Sequence, residues 1–202
     1  MLVVILNDGK PDKGRVLLAH GAGAGCDSEF MQQLSQGLTS LGLEVIRFEF
    51  PYMQRIRAEH RRRPPDQQSV LLAYFTEMID TYYCPGIPLY IAGKSMGGRM
   101  ASMLLEEPKV MAGWVFGYPF HAPGKQKLRI EHLQALSKPL TIFQGERDPM
   151  GNRSEVSAYP LGQGVEISWL EDGNHDLKPR QRSGFTQEQH LATCFDVIGA
   201  QL

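Results

Sequence analysis

The stretch Tyr90–Ser102 reads YIAGKSMGGRMAS: an apolar run, then Gly93-Lys94-Ser95-Met96-Gly97-Gly98, then residues that suit a helix. Neither a buried strand nor a helix interior favours so much glycine. A sharp strand-to-helix turn does, because strand and helix approach too closely there for side chains. The core of the stretch is G-x-S-x-G, which puts a serine hydroxyl at the tip of the turn. A helix starting at Met96 would offer its first amide and the positive end of its dipole to an anion forming beside that serine. Glycine and serine also make ordinary turns, so the motif gains meaning only from its surroundings.

Those surroundings repeat one arrangement. Short apolar runs at Arg15–His20, Glu44–Phe50, Pro88–Ala92, Ala112–Phe116, Leu140–Gln144 and Val165–Leu170 read as strands, and Met1–Asp8 as a first strand. Helical patterns fall at Ser28–Leu41, Asp66–Tyr82, Met96–Glu107 and Thr186–Leu202. Strands alternating with helices predict crossover connections, a mostly parallel twisted sheet and helices on both faces. In the Asp66 helix, Val70, Leu71, Tyr74, Phe75, Met78 and Ile79 recur every three or four residues as one buried face. Asp66 is the expected cap there, and Thr186 opens the last helix, with Leu191, Phe195 and Ile198 on one side. Pro108 is expected to close the helix after Ser95. Pro51–Pro65, which is basic and proline-bounded and reads as a loop, and Pro119–Lys138, which is mixed, are ambiguous: neither is large enough for a separate domain, though either could form part of a lid.

The 202 residues suit one domain over 1–202, with no room for a large cap. A net charge of −1 gives no overall attraction to nucleic acid or membranes. Cys26, Cys84 and Cys194 are odd in number and widely spaced, which suits reduced thiols and a cytoplasmic location. The amino terminus lacks the basic flank of a secretory signal.

Three further stretches bear on Ser95. In VLLAHGAGAG, Val16–Gly25, a strand runs into His20-Gly21 and a small-residue loop. Such a loop can bring a second N–H to an oxyanion, and Ala22 is the candidate, paired with Met96. The glycines there depart from a dinucleotide fingerprint, and Glu49 is not convincing as a ribose-binding acid. His20 is expected to fix the loop. In TIFQGERDPMG, Thr141–Gly151, a strand ends before Asp148, with Glu146 as the alternative acid. In SWLEDGNHDLKP, Ser168–Pro179, a glycine-bearing loop after the last strand carries His175. His60, His121, His132 and His190 read as surface or packing residues.

The order Ser95, Asp148, His175, each after a later strand, together with the Ser95 turn and the His20-Gly21 loop, resembles the α/β-hydrolase superfamily over nearly the whole chain. The resemblance implies an α/β-hydrolase fold and a serine hydrolase: Ser95 as nucleophile, His175 as base, Asp148 as its orienting acid. FEFPYM, RRRPPD and GKSMGGRMAS also resemble a small bacterial group and the hydrolase-like domain of testis-expressed and non-specific-lethal-complex subunits. Some of those relatives are regarded as scaffolds, so a non-catalytic binding protein is the rival reading. A dienelactone-hydrolase-like activity is disfavoured, because it would place cysteine where Ser95 stands.

The implied substrate is a small acyl ester or thioester, with no metal or organic cofactor, no nucleic-acid or membrane partner, and a homodimer left open. Tyr52–Asp66 carries Arg55, Arg57, Arg61, Arg62 and Arg63, a positive patch that could recruit an anionic substrate or be spent on salt bridges. Arg61, Arg62 and Lys94 are the candidate substrate contacts. Met53, Phe120 and Trp169 are candidate apolar walls, and Arg99 a candidate for a structural ion pair.

Overall fold

The computed structural model describes residues 5–202. Among them, seven strands form one sheet: β1 (Ile5–Asp8), β2 (Gly14–Ala19), β3 (Leu43–Phe48), β4 (Leu89–Lys94), β5 (Ala112–Phe116), β6 (Leu140–Gly145) and β7 (Val165–Leu170). Their spatial order is β1-β3-β2-β4-β5-β6-β7. β1 runs antiparallel to β3 and every other pairing is parallel. Met1–Val4 of the expected first strand lie outside the described residues.

The apolar runs of β2, β4, β5 and β6 are nearly continuous because both faces of the sheet are covered there. Side chains alternate along β2: Val16 and Leu18 join one core, Leu17 and Ala19 the other. The first core is roofed by α1 (Glu29–Ser40) and α6 (Gln187–Gln201), which contribute Leu34, Leu38, Leu191 and Ile198. The second lies under α3 (Gln68–Tyr82) and α4 (Met96–Met103), where Phe75, Met78 and Met100 pack on Phe48, Ile91 and Val115. A short helix, α5 (Arg153–Val156), follows β6.

Several local expectations change. Pro51–Glu59 is a helix, α2, and not a loop. Pro51 occupies its first turn, where a missing N–H costs nothing, and His60 ends it in the left-handed region at φ 51°. Its arginines hid the pattern, since only Tyr52, Met53 and Gln54 are buried. Asp66 does not cap α3; Gln67 stands at that position, and Asp66 pairs with Arg55. Val70 is exposed, off the buried face of α3. α4 stops at Met103, before Pro108. Thr186 does cap α6: its hydroxyl accepts the Gln189 N–H, and the Gln189 side chain accepts the Thr186 N–H. Among the described residues no cap domain covers the sheet, and no helix is long and apolar enough to cross a membrane.

Candidate active site

Between β4 and α4 the chain turns at Ser95, whose φ of 51° and ψ of −114° lie where non-glycine residues are costly to hold. The neighbouring glycines show what forces this turn. A Cβ on Gly97 would sit 2.5 Å from the carbonyl oxygens of Ala19 and His20, and one on Gly93 would sit 2.5 Å from the Gly97 backbone. The Ser95 N–H donates to Phe116 O at 3.1 Å, tying the turn to β5.

His175 reaches this turn from the loop after β7. Its Nε2 lies 2.7 Å from Ser95 Oγ and its Nδ1 lies 2.7 Å from Asp148 Oδ2. Asp148 accepts, so the ring is assigned with its proton on Nδ1 and an acceptor at Nε2, facing the serine hydroxyl. Asp148 is fully buried. Its Oδ2 also accepts from Gln144 Nε2 at 2.8 Å, and its Oδ1 accepts the Met150 N–H at 2.8 Å. Glu146, the alternative acid, is turned elsewhere: it pairs with Arg153 and accepts the Asp172 N–H.

The His175 loop is held from several directions. Asn174 Oδ1 accepts the N–H groups of Asp176 and Lys178. Leu177 is fully buried beneath the loop at φ 59°. Lys94, buried beside Ser95, donates from Nζ to His175 O at 2.6 Å and stands 3.1 Å from Asp176 Oδ1. Burial pulls the Lys94 pKa down, while the Asp176 charge pushes it back up.

The first loop is braced as well. His20 is buried, with Nδ1 at 2.7 Å from Gly21 O and Nε2 accepting the Phe50 N–H at 3.1 Å. Burial lowers its pKa, which keeps the ring neutral. The Tyr52 hydroxyl donates to Ala22 O at 3.0 Å. The N–H groups of Ala22 and Met96 donate to no acceptor among the described residues. Ala22 and Ser95 both line a cavity of about 750 Å³, with Phe30, Met31 and Met150 as apolar lining and Lys94 and His175 beside them.

Other expected site residues lie elsewhere. Met53 and Phe120 are packed in the core, and Trp169 lies beneath the Arg153 guanidinium; none of the three lines this cavity. Phe30, Met31 and Met150 take that place, since α1 and the loop after Asp148 fold over the serine. Arg61 and Arg62 are exposed and absent from the lining. Their neighbours are engaged in pairs: Arg55 with Asp66, Arg57 with Glu49 and Asp27, Arg63 with Glu59. Glu49 is thus a fully buried partner of Arg57, and its Oε1 also accepts the Cys26 N–H at 3.3 Å. Burial, reinforced by Glu49, pushes the Cys26 thiol up to about 12, so it is no nucleophile.

Two contributors are hardly marked in the sequence. Gln144 binds Asp148, the carbonyls of Tyr118 and Gly151, and the Tyr118 N–H. Its one signal was a glutamine at the end of the apolar run Thr141–Phe143. Tyr52 carries none, because the arginine-rich segment around it shows no helical period.

A family described as "Alpha/beta hydrolase domain" matches residues 12–202. The fold is similar to a monoacylglycerol lipase from Paleococcus ferrophilus, with a TM-score of 0.75, 12% identity and full coverage of both chains. It is also similar to an alpha-beta serine hydrolase homologue from Coxiella burnetii, with a TM-score of 0.72 and 17% identity over 99% of this chain and 90% of that one. A serine hydrolase without lid from Xanthomonas campestris has a TM-score of 0.67 and 15% identity, covering 98% of this chain and 88% of its own. Among curated proteins none matches the sequence.

Proposed function

This chain belongs to the alpha/beta hydrolase domain family, and from that premise we propose that it hydrolyses ester or thioester bonds of small acyl substrates with Ser95 as nucleophile. The observation that carries the proposal is His175 bridging Ser95 Oγ and Asp148 Oδ2 at 2.7 Å on each side.

The chemistry runs in two halves. Ser95 Oγ attacks the acyl carbonyl carbon as its proton passes to His175 Nε2. The resulting oxyanion accepts from the free N–H groups of Ala22 and Met96. Collapse expels the alcohol or thiol, which takes the proton from Nε2, and leaves an acyl ester on Ser95. Water then attacks that ester, gives a proton to Nε2 and releases the carboxylic acid as Ser95 recovers its hydrogen. Asp148 holds the imidazole through Nδ1–H and stabilises its charged form. A buried carboxylate that is already hydrogen-bonded by Gln144 and Met150 needs no reorganisation when that charge appears.

The open cavity with Phe30, Met31 and Met150 suits an acyl group of modest size. Lys94 is committed to the His175 carbonyl and Asp176, and no substrate contact is assigned to Arg61 or Arg62. The narrower likeness to the hydrolase-like domain of testis-expressed and non-specific-lethal-complex subunits belongs to this proposal and rests on FEFPYM, RRRPPD and GKSMGGRMAS.

A fluorophosphonate probe tests it. Wild-type protein should label, and Ser95→Ala should not. Folded wild-type protein that neither labels nor hydrolyses short p-nitrophenyl esters or acyl thioesters would overturn the assignment and favour the scaffold.

A further inference from the structure

A second cavity, of about 770 Å³, opens between the start of α3, the middle of α4 and the segment 122–132. It shares no lining residue with the cavity at Ser95. Four cations line it, Arg99, Lys125, Lys127 and Arg129, against the single carboxylate of Glu131.

None of the four enters an ion pair among the described residues. Arg15, Arg47 and Arg57 each meet a carboxylate. Arg99, expected to form a structural pair, has none: one terminal nitrogen donates to Gln68 Oε1 at 2.7 Å, and its Nε is buried without a hydrogen-bond partner. Burial pulls its pKa down; the Tyr118 hydroxyl partly offsets this and the nearby Arg129 charge adds to it. Two guanidinium groups that repel each other beside a hollow, neither of them in an ion pair and with Glu131 the one carboxylate in the lining, are costly for a fold to keep.

We propose that this cavity binds the phosphate group of a small phosphorylated organic molecule. Two guanidinium forks and two ammonium groups around one carboxylate match a dianion with several acceptor oxygens better than a lone carboxylate. The volume far exceeds one phosphate and falls in the range of small-molecule sites. Met103 and Leu128 supply apolar surface for the remainder of the ligand. One source of the phosphate is the substrate cleaved at Ser95, since Arg99 follows Ser95 by one helical turn, its backbone N–H donating to Ser95 O at 2.9 Å. The phosphate could equally belong to a separate ligand. The site itself does not depend on hydrolysis.

Inorganic phosphate titrated into the Ser95→Ala protein, followed by amide chemical shifts, reads the site without turnover. Saturable shifts should centre on the segment 122–132 and weaken with added salt. The Arg99→Gln/Arg129→Gln double variant should bind at least about tenfold more weakly. Lys125→Gln/Lys127→Gln, exposed changes that leave the fold intact, should weaken binding several-fold. Absence of saturable shifts, or equal affinity in wild type and the lysine variant, overturns the proposal. Once binding is seen, competition separates the sources. Phosphate that inhibits hydrolysis of phosphorylated esters but not of neutral ones places the group on the substrate. Binding without that selectivity assigns a separate ligand.

Discussion

His175 presents Nε2 to Ser95 Oγ at 2.7 Å although eighty residues separate them along the chain. The contact joins the loop after β7 to the turn after β4, strands that β5 and β6 separate in the sheet. Parallel strands deliver both loops to one edge, which is where such sheets bind their ligands.

Removing a member of this set should abolish turnover while leaving the protein folded. Ser95→Ala and His175→Ala are expected to lower kcat by on the order of 10⁴–10⁶. Asp148→Asn, which loses the acceptor for Nδ1–H, should lower it by about 10⁴. Glu146→Gln should stay within a few-fold, because Glu146 meets Arg153 and not His175. Steady-state rates on one p-nitrophenyl ester, with circular dichroism to check folding, separate the two acids.

Lys94→Met tests whether the buried ammonium positions the histidine or binds substrate. Losing the 2.6 Å bond to His175 O should let the loop drift, and misplacement of about 1 Å costs about 10²-fold. We expect kcat to fall about 10- to 100-fold on neutral and anionic esters alike, with KM little changed. A rise in KM confined to anionic esters would instead make Lys94 a substrate contact.

The arginines after β3 should divide into structural and dispensable ones. Arg57→Gln leaves the fully buried Glu49 carboxylate uncompensated. The cost should be about 2 kcal/mol, below the usual range for a buried pair because Arg57 is itself one-third exposed. That corresponds to a Tm about 4–8 °C lower. Arg61→Gln/Arg62→Gln, on exposed residues outside the Ser95 cavity, should stay within about 0.5 kcal/mol. Thermal melts of both variants decide the matter.

Gly97→Ala should destabilise through backbone collision. Its Cβ would meet two carbonyl oxygens at 2.5 Å, and neither is the end of a flexible side chain. Overpacking of this sort costs about 1–3 kcal/mol, so Tm should drop about 2–12 °C, and activity should fall as Ser95 shifts. Gly124→Ala, where a Cβ would meet nothing within 4 Å, serves as a milder comparison limited to its φ of 68°.

Acid stability should carry a signature of His132. Burial, helped by the Arg99 charge, pulls its pKa from 6.5 down to about 4. The unfolded chain therefore binds the proton more readily, and stability held above pH about 6.5 declines as pH falls toward about 4. His132→Asn should flatten that part of the profile in urea melts taken across pH 4–7.

Much of this molecule was readable residue by residue. The apolar runs located the central strands because both faces of the sheet are buried there, and burial on two sides writes a nearly unbroken hydrophobic string. Gly93, Gly97 and Gly98 revealed the turn at Ser95 because only glycine survives where a helix lies against strand backbone. The order Ser95, Asp148, His175 pointed to one edge, since parallel strands all end there. Pairings between distant side chains were a different matter. Composition could not show that Glu146 is spent on Arg153, that Arg55, Arg57 and Arg63 are spent on carboxylates, or that Lys94 turns inward to the His175 carbonyl. It could not show α2 either, whose helix is held by the buried Tyr52 and Met53 and not by a visible period. Local backbone preferences and burial are properties of short segments, whereas a charge finds its partner only when the fold has brought remote segments within reach; that is why the elements were legible early and the electrostatics of the site were not.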